Sequence, residues 1–159
     1  MSRNRMSVVI REVLIMAFTK EYWILLVLKQ APLDRIHIMK ALFLIWHRSG
    51  RNITDYFEFE PYLYGPCSFE VYSVLGNLQS SELIVQPPHS LPKWVNYYLT
   101  ARGKEQAEEA VKKSLPKTVR LIEAVIDEIS QLNFFELLRK VYTEAPDFAV
   151  NSMFRGVIK

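Results

Sequence analysis

The segment from Leu33 to Arg48 constrains the fold most, because it is a predicted helix with apolar residues around most of its circumference. Its apolar positions form one stripe and widen it: Ile36, Ile38, Met39, Leu42, Phe43, Ile45 and Trp46. A helix of this kind lies at the centre of a core, so other elements must cover several of its faces. Ser49-Gly50 ends the helix, as glycine is common just after the last turn.

Helical spacing, capping residues and breakers predict further helices on both sides of this one. They cover residues 20–30, 69–80, 101–114, 116–130 and 134–143. Thr19, Ser68 and Thr100 are the predicted N-caps. Asn133 and Glu136 have the spacing of a capping box in front of the last of these helices.

Three segments have the spacing of strands. Ile53 to Tyr64 alternates acidic and aromatic residues and predicts an edge or irregular strand, followed by a turn at Gly65-Pro66. Leu83 to Gln86 and Trp94 to Leu99 predict a hairpin around a proline-rich loop. Ser7 to Phe18 is predicted as helical or partly strand-like.

The order of these elements predicts a mainly α fold of the α+β class. Two helices, a short strand, a third helix and a two-stranded hairpin form a winged helix-turn-helix core over residues 20–114. Residues 116–159 form a C-terminal helical extension, and the whole of 1–159 is one domain. The helices after Pro116 carry long apolar stripes, which favour a homodimer through them.

The composition and the longest apolar runs exclude several classes of protein. The one cysteine, Cys67, leaves no internal disulfide framework and no zinc site of several cysteines. No apolar run approaches the roughly 18 residues that cross a bilayer, so we expect no membrane segment. The basic N-terminus is followed by no cleavage pattern of a signal peptide. A free thiol without an export signal predicts a cytoplasmic protein.

No catalytic, metal or cofactor site is predicted. Glu58 and Glu60 share a strand face near Asp55, but no histidine or lysine pattern completes an acid–base or metal site. Cys67 lacks a recognisable oxyanion loop and an orienting partner for a histidine base. The chain also has no phosphate-binding glycine loop and no dinucleotide fingerprint. We therefore expect a protein that is not an enzyme.

Two motifs have the spacing of a known family. Tyr64-Gly65-Pro66-Cys67-Ser68 leads into a predicted helix, and Tyr97 to Gly103 has the pattern Tyr-x-Leu-Thr-x-x-Gly after the hairpin. Together they resemble the Panacea family, which consists of antitoxin-type, winged-helix-like prokaryotic domains. Met39 to Leu44 and Leu137 to Phe154 are similar to other parts of it, and Ile45-Trp46-His47 replaces its common aspartate and histidine pair. The resemblance implies direct binding of a toxin partner or regulation of transcription.

The turn after the first predicted strand supplies the predicted partner-binding residues: Tyr62, Tyr64, Gly65, Pro66 and Tyr72. Tyrosine suits a protein interface because it combines a large contact area with a polar tip. The alternative is that these tyrosines wedge the turn against the core, since tyrosine is often half-buried. Gly65 itself is expected to serve the backbone.

DNA binding by the winged helix is the alternative function. Its candidate contacts are Arg48, Arg51, Ser73, Asn77 and Lys93. Asparagine and serine read base edges, but helix 69–80 contains no lysine or arginine, and Glu70 would repel phosphates. The formal charge of the chain is only +3, and most lysines after residue 100 alternate with glutamates. Binding to a protein partner, toxin-like in the sense of the family, is therefore the favoured function.

Overall fold

The computed structural model describes residues 19–154 and 156, and this part of the chain is mainly helical. The helices are α1 (Lys20–Gln30), α2 (Arg35–Arg48), α3 (Phe69–Ser80), α4 (Ala101–Lys113), α5 (Pro116–Ile129) and α6 (Phe134–Glu144). The segment 7–18, predicted as helical or partly strand-like, lies outside the described residues. None of the helices that the structure describes is long and apolar enough to span a membrane.

Two antiparallel hairpins and two 3-10 turns complete the described part. Strand β1 (Glu60–Tyr62) pairs with β2 (Gly65–Cys67), and β3 (Ile84–Val85) pairs with β4 (Tyr98–Leu99). The 3-10 turns cover Pro92–Trp94 and Pro146–Ala149, the second in the tail beyond α6.

Helix α2 lies at the centre of the core, as its apolar circumference predicts. Ile38, Leu42, Phe43, Leu44 and Ile45 are completely buried. Helices α1, α5 and α6 and strand β2 pack around it. Because this burial removes a large apolar area from water, it is the main stabilising contribution to the fold.

The N-cap predictions are confirmed in part. The side chain of Thr100 accepts a hydrogen bond from Gly103 N at 3.0 Å, and Asn133 and Glu136 form the predicted capping box. Thr19 and Ser68 stand at N-cap positions, but their side chains make no capping hydrogen bond. Helix α2 begins at Arg35 rather than near Leu33, because the carboxylate of Asp34 caps it.

The strand predicted over residues 53–64 is wrong for most of its length. Only Glu60–Tyr62 is a strand. The adjacent Tyr56 and Phe57 are both buried, which no strand with two different faces allows, and Asp55 has a φ of 53°. The tight turn is at residues 63–64. Gly65 and Pro66, predicted as the turn, are instead the first residues of β2.

The second hairpin is shorter than predicted and is joined to the start of α2. Residues 92–94 form a 3-10 turn instead of leading directly into a strand. The backbone N of Tyr97 donates a 2.8 Å hydrogen bond to Leu33 O, and the two residues form an isolated antiparallel bridge. The connection between α1 and α2 therefore lies alongside β4.

The apolar stripes of the C-terminal helices are buried within the chain itself. Ile122, Val125, Ile126 and Ile129 of α5 are at most 2% exposed, and α5 packs on α1 and α2. The apolar face of α6 likewise packs against α2. Because these stripes are covered within the chain, they give no support to a homodimer, which stays a prediction.

Candidate functional site

Several of the predicted partner-binding residues line one narrow cleft between α2, the first hairpin and the start of α3. We call it the tyrosine cleft, and its volume is about 110 Å³. The side chains that line it above the apolar floor are Tyr62, Leu63, Tyr64, Cys67, Phe69 and Tyr72, with Lys40 at the bottom. The sequence therefore identified the tyrosines correctly as neighbours in space.

Gly65 allows the first hairpin to approach Tyr142 of α6 closely. Its φ is 83°, and a Cβ added there would lie 2.6 Å from Cε1 of Tyr142. Glycine is required for both reasons, since other residues are strained at this φ and would clash. Gly65 and Pro66 are buried, so the structure assigns them a backbone role and leaves the surface to the tyrosines.

The outer edge of the cleft is an exposed apolar rim. Tyr62, Leu63, Phe69 and Tyr72 are between 36% and 50% exposed. The ring of Phe69 contacts Tyr62 edge-on at 5.2 Å and Tyr72 at 6.3 Å between centroids. A contiguous apolar patch of this kind on a protein surface marks an interaction site.

Tyr64 fits the alternative role of a wedge. It is half-buried, and its ring packs against Phe134 at 5.4 Å and Phe154 at 6.0 Å. Phe134 in turn contacts the exposed Trp94 at 5.3 Å and the exposed Phe135 at 5.2 Å. Tyr64 thus connects the tyrosine cleft to a second group of exposed aromatic residues.

Lys40 lies at the floor of the cleft and is 2% exposed. Its Nζ donates a 2.9 Å hydrogen bond to Pro66 O, and no carboxylate among the described residues forms an ion pair with it. Burial lowers the pKa of this lysine to about 7, although the nearby Cys67 acts to raise it. The amine of Lys40 is therefore buried without a counter-charge from the described residues, and about half of it is protonated near pH 7.

Cys67 and Tyr72 lie beside this lysine. Burial raises the pKa of the Cys67 thiol, while Lys40 and a hydrogen bond with Tyr72 lower it. The guanidinium of Arg35 lies 5.3 Å from the ring centroid of Tyr72. Nε of Arg35 is buried and has no hydrogen-bond partner among the described residues. Tyr72 thus has one cation against its ring and lines the same cleft as a second, Lys40.

The described residues form neither the metal site nor the cysteine–histidine pair considered from the sequence. No group of three histidine, cysteine, aspartate or glutamate residues among those described has the geometry of a metal site. His37 hydrogen-bonds Asp34 and Leu132 O, and His47 accepts from Arg51. His89 accepts from the backbone of its own loop. All three histidines therefore have partners other than Cys67.

Two of the candidate DNA contacts are neutralised by neighbouring acids. Arg48 Nη2 lies 2.6 Å from Glu128 and 2.5 Å from Glu144. Arg51 bonds both carboxylate oxygens of Asp147, at 2.8 and 3.0 Å. The hydrogen bond to Glu144 raises the pKa of Arg48, and that to Arg51 lowers the pKa of Asp147. These ion pairs connect α2 and the loop after it to α5, α6 and the 3-10 turn that follows α6.

The remaining DNA candidates lie apart from those two. Ser73 and Asn77 are exposed on α3, in a shallow depression that Lys20, Glu21, Asp55 and Glu70 also line, with Lys20 paired to Glu70. Lys93 lies over the rings of Trp94, at 5.1 Å, and Tyr64, at 5.9 Å. The structure therefore does not bring the five candidates together into one basic surface, and α3 itself carries no lysine or arginine.

Sequence reasoning missed four residues of the site: Arg35, Lys40, Leu63 and Phe69. For Lys40 a signal was present, because it is the one charged residue between Ile38 and Ile45, inside the helix predicted to be the centre of the core. A lysine at such a position is seldom fully buried unless it has a role or a partner. For Arg35 and Phe69 no comparable sequence signal exists.

Comparisons of the chain with protein-family models, with curated proteins and with solved structures find no match. The site is therefore interpreted from its own residues, and the resemblance to the Panacea family stays a prediction.

Proposed function

We propose that this chain is a binding protein that recognises a protein partner through the tyrosine cleft, in the antitoxin-like manner that the Panacea resemblance implies. The observation that carries the proposal is the exposed apolar rim of Tyr62, Leu63, Phe69 and Tyr72 around a cleft. Aromatic side chains around a small pocket are the residues that contribute most to protein–protein affinity.

The size of the cleft favours a protein over a free small molecule. Its volume of about 110 Å³ is well below the roughly 300 Å³ at which pockets for drug-sized ligands begin. A single side chain of a partner fits such a cleft, while the rest of the partner covers the exposed rim. The second aromatic group, which includes Trp94 and Phe135, extends the apolar surface available to it.

We also propose that the core is a winged helix with an insertion. Three helices, α1 to α3, precede the β3–β4 hairpin, which corresponds to the wing. The bridge between Leu33 and Tyr97 supports this arrangement, because a winged helix pairs a strand between its first two helices with the wing. Residues 49–68, which include the first hairpin, replace the short turn that usually joins the second and third helices.

DNA binding is the second candidate function, and the winged-helix arrangement is the observation in its favour. Against it, α3 has no lysine or arginine, and Arg48 and Arg51 are paired with carboxylates. Phosphate contacts by free lysines and arginines supply most of the affinity of DNA-binding proteins. We therefore rank DNA binding below binding to a protein partner.

The proposal is tested by purifying the tagged full chain from its native source with and without changes in the rim. We expect the wild-type chain to retain a stoichiometric protein partner, and the double variant Tyr62→Ala, Phe69→Ala to lose it. Val85→Ala, which alters an equally exposed apolar residue outside the cleft, serves as the control and should retain the partner. A chain that purifies alone, or a partner unaffected by the rim variant, would contradict the proposal.

The ranking against DNA has its own test. A gel-shift titration with mixed-sequence duplex DNA at about 50 mM salt favours any phosphate contact that exists. We expect no shift that depends on Arg48, Arg51 or Lys93. A salt-dependent shift that is lost when these three residues are replaced would reverse the ranking.

A further inference from the structure

The ammonium group of Lys40 has unused hydrogen-bonding capacity at the floor of the tyrosine cleft. An ammonium has three N–H donors, and the one acceptor that Nζ has among residues 19–154 and 156 is Pro66 O, at 2.9 Å. The side chain is 2% exposed and lines the cleft. An acceptor in the cleft would therefore meet a donor that is already fixed in position and shielded from water.

No carboxylate in the part of the chain that the structure describes pairs with Lys40, although burial and the nearby Glu60 both raise the pKa of the Cys67 thiol. The nearest acidic residue of the hairpin is Glu60, which is exposed and stands opposite Cys67 in the strand register. Glu70, at the start of α3, forms an ion pair with Lys20 at 2.5 Å. A buried cation without a counter-ion is unfavourable, and a carboxylate that reached it would form a hydrogen bond assisted by charge.

A second cation, Arg35, lies against Tyr72. The guanidinium of Arg35 packs over Tyr72, whose ring is one wall of the cleft, and its buried Nε has no hydrogen-bond partner among the described residues. A cation therefore lies against this wall, although the rim is apolar. This combination selects a partner group that is anionic at its tip and apolar beside it.

From this charge complementarity and the small volume of the cleft, we propose that the tyrosine cleft receives an aspartate or glutamate side chain of the protein partner, with Lys40 as its counter-charge. The inference rests on the proposed function and adds the chemistry of the group that is recognised. A volume of about 110 Å³ accommodates one short side chain. The residues that flank the acid in the partner are apolar, since they meet Tyr62, Leu63 and Phe69.

The probe is a library of random hexapeptides, acetylated at the N-terminus and amidated at the C-terminus, so that side chains carry the only carboxylates. We expect selection on the full chain to enrich sequences with an aspartate or glutamate next to an aromatic or aliphatic residue. Replacing that acid with its amide should lower the affinity by about tenfold or more, the usual effect of losing a hydrogen bond to a charged group.

Lys40→Met is the decisive variant. Methionine retains the length and apolar stem of the side chain, so we expect the variant to fold, as circular dichroism and thermal melting will show. It should bind the acidic hexapeptide about tenfold or more weakly and should lose the preference for acid over amide. Lys29→Met, which removes a lysine on α1 outside the cleft, should bind like the wild type. If Lys40→Met does not fold, Tyr72→Ala on the exposed wall provides the second variant and should weaken the acidic peptide to a similar extent.

The failure of this inference can be distinguished from failure of the proposed function. Enriched peptides without an acid, no enrichment at all, or acidic peptides whose affinity is unchanged in Lys40→Met and Tyr72→Ala would each overturn the role of Lys40. If the Tyr62→Ala, Phe69→Ala variant still lost the native partner, the proposed function would stand even though the role of Lys40 was wrong. If that variant retained the partner, both would fail.

Discussion

Helix α2 carries cationic side chains both in its middle and at its C-terminal end, and their surroundings differ. Arg48, at the end, lies between the carboxylates of Glu128 and Glu144, and these contacts join α2 to α5 and α6. Lys40, in the middle, is more deeply buried, yet its one described acceptor is the carbonyl of Pro66. The charge at the end of the helix thus forms ion pairs within the protein. The middle has a buried amine without a counter-ion among the described residues, beside an open cleft, and this difference is the basis of the proposed recognition of a carboxylate.

The largest expected effect comes from breaking the hairpin that supports Lys40. Gly65→Ala places a Cβ 2.6 Å from Tyr142 at a φ of 83°, and we expect the free energy of unfolding to fall by about 3 kcal/mol. Urea titration measures it. Gly76→Ala is the matched control, because nothing lies within 4 Å of that position in α3, and it should stabilise the protein by about 0.5–1 kcal/mol. An equal response of both variants would contradict the structural role of Gly65.

The next largest effect is the dependence of stability on pH, which reports the protonation of Lys40. Because burial lowers the pKa of Lys40 to about 7 in the folded state, the unfolded chain binds more protons than the folded chain from pH 7 upward. Lys40 should therefore add about 2 kcal/mol to the free energy of unfolding between pH 7 and 9, read from the difference between the wild type and Lys40→Met. Urea titrations of wild type and Lys40→Met over this range test it.

The variants of this series separate Lys40 from other titrating groups. Lys40→Met should lose most of the rise in stability with pH, and it should exceed the wild type in stability at pH 6, where the buried ammonium is charged. Lys112→Met, at an exposed lysine of α4, should follow the wild type. If the difference in stability between the wild type and Lys40→Met did not change between pH 7 and 9, Lys40 would have an ordinary pKa, and the account would be contradicted.

A smaller effect is expected at the other end of α2. Arg48→Gln removes the cation shared by Glu128 and Glu144, and we expect the free energy of unfolding to fall by about 1 kcal/mol, since the pair is partly exposed. The loss should shrink in about 1 M salt, where such interactions are screened. Arg139→Gln, at an exposed arginine on α6, should change stability by less than about 0.5 kcal/mol. A loss that does not depend on salt would contradict the electrostatic role of Arg48.

The smallest effect on stability is expected in the rim of the cleft. Tyr62→Ala removes a ring that is 44% exposed, and the free energy of unfolding should change by no more than about 1 kcal/mol. The same variant should bind the partner and the acidic hexapeptide more weakly, because it removes an aromatic anchor. A large loss of stability would instead show that Tyr62 packs as part of the core, in the way that Tyr64 packs against Phe134 and Phe154.

The helices were predictable because their signals are local. The apolar circumference of α2 correctly predicted its place in the core, and the spacing of Asn133 and Glu136 correctly predicted the capping box. The strand over 53–64 failed because Tyr56 and Phe57 are both buried, and the hydroxyl of Tyr56 donates to Leu42 O at 2.6 Å. Tertiary packing there overrides the alternating pattern, and no spacing in the sequence reveals it.

Only those residues of the candidate site that are close together in the sequence could be predicted as neighbours. Tyr62, Tyr64 and Tyr72 lie within one motif, so the sequence placed them together. Lys40 and Arg35 come from α2, and their contacts with Pro66 and Tyr72 depend on how the hairpin packs. The pairing of Arg48 with acids some 80 to 96 residues away is likewise invisible in the sequence, and it is what removes this arginine from the candidate DNA surface.

The most direct test of the account is the titration of Lys40 itself, by NMR of its ε-methylene carbon in the full chain, alone and with the selected acidic hexapeptide bound. We predict a midpoint near pH 7 for the chain alone and a rise of more than about one pH unit on binding, because a carboxylate in the cleft stabilises the ammonium. A midpoint near about 10.4, as for an exposed lysine, or one that the peptide leaves unchanged, would contradict the account.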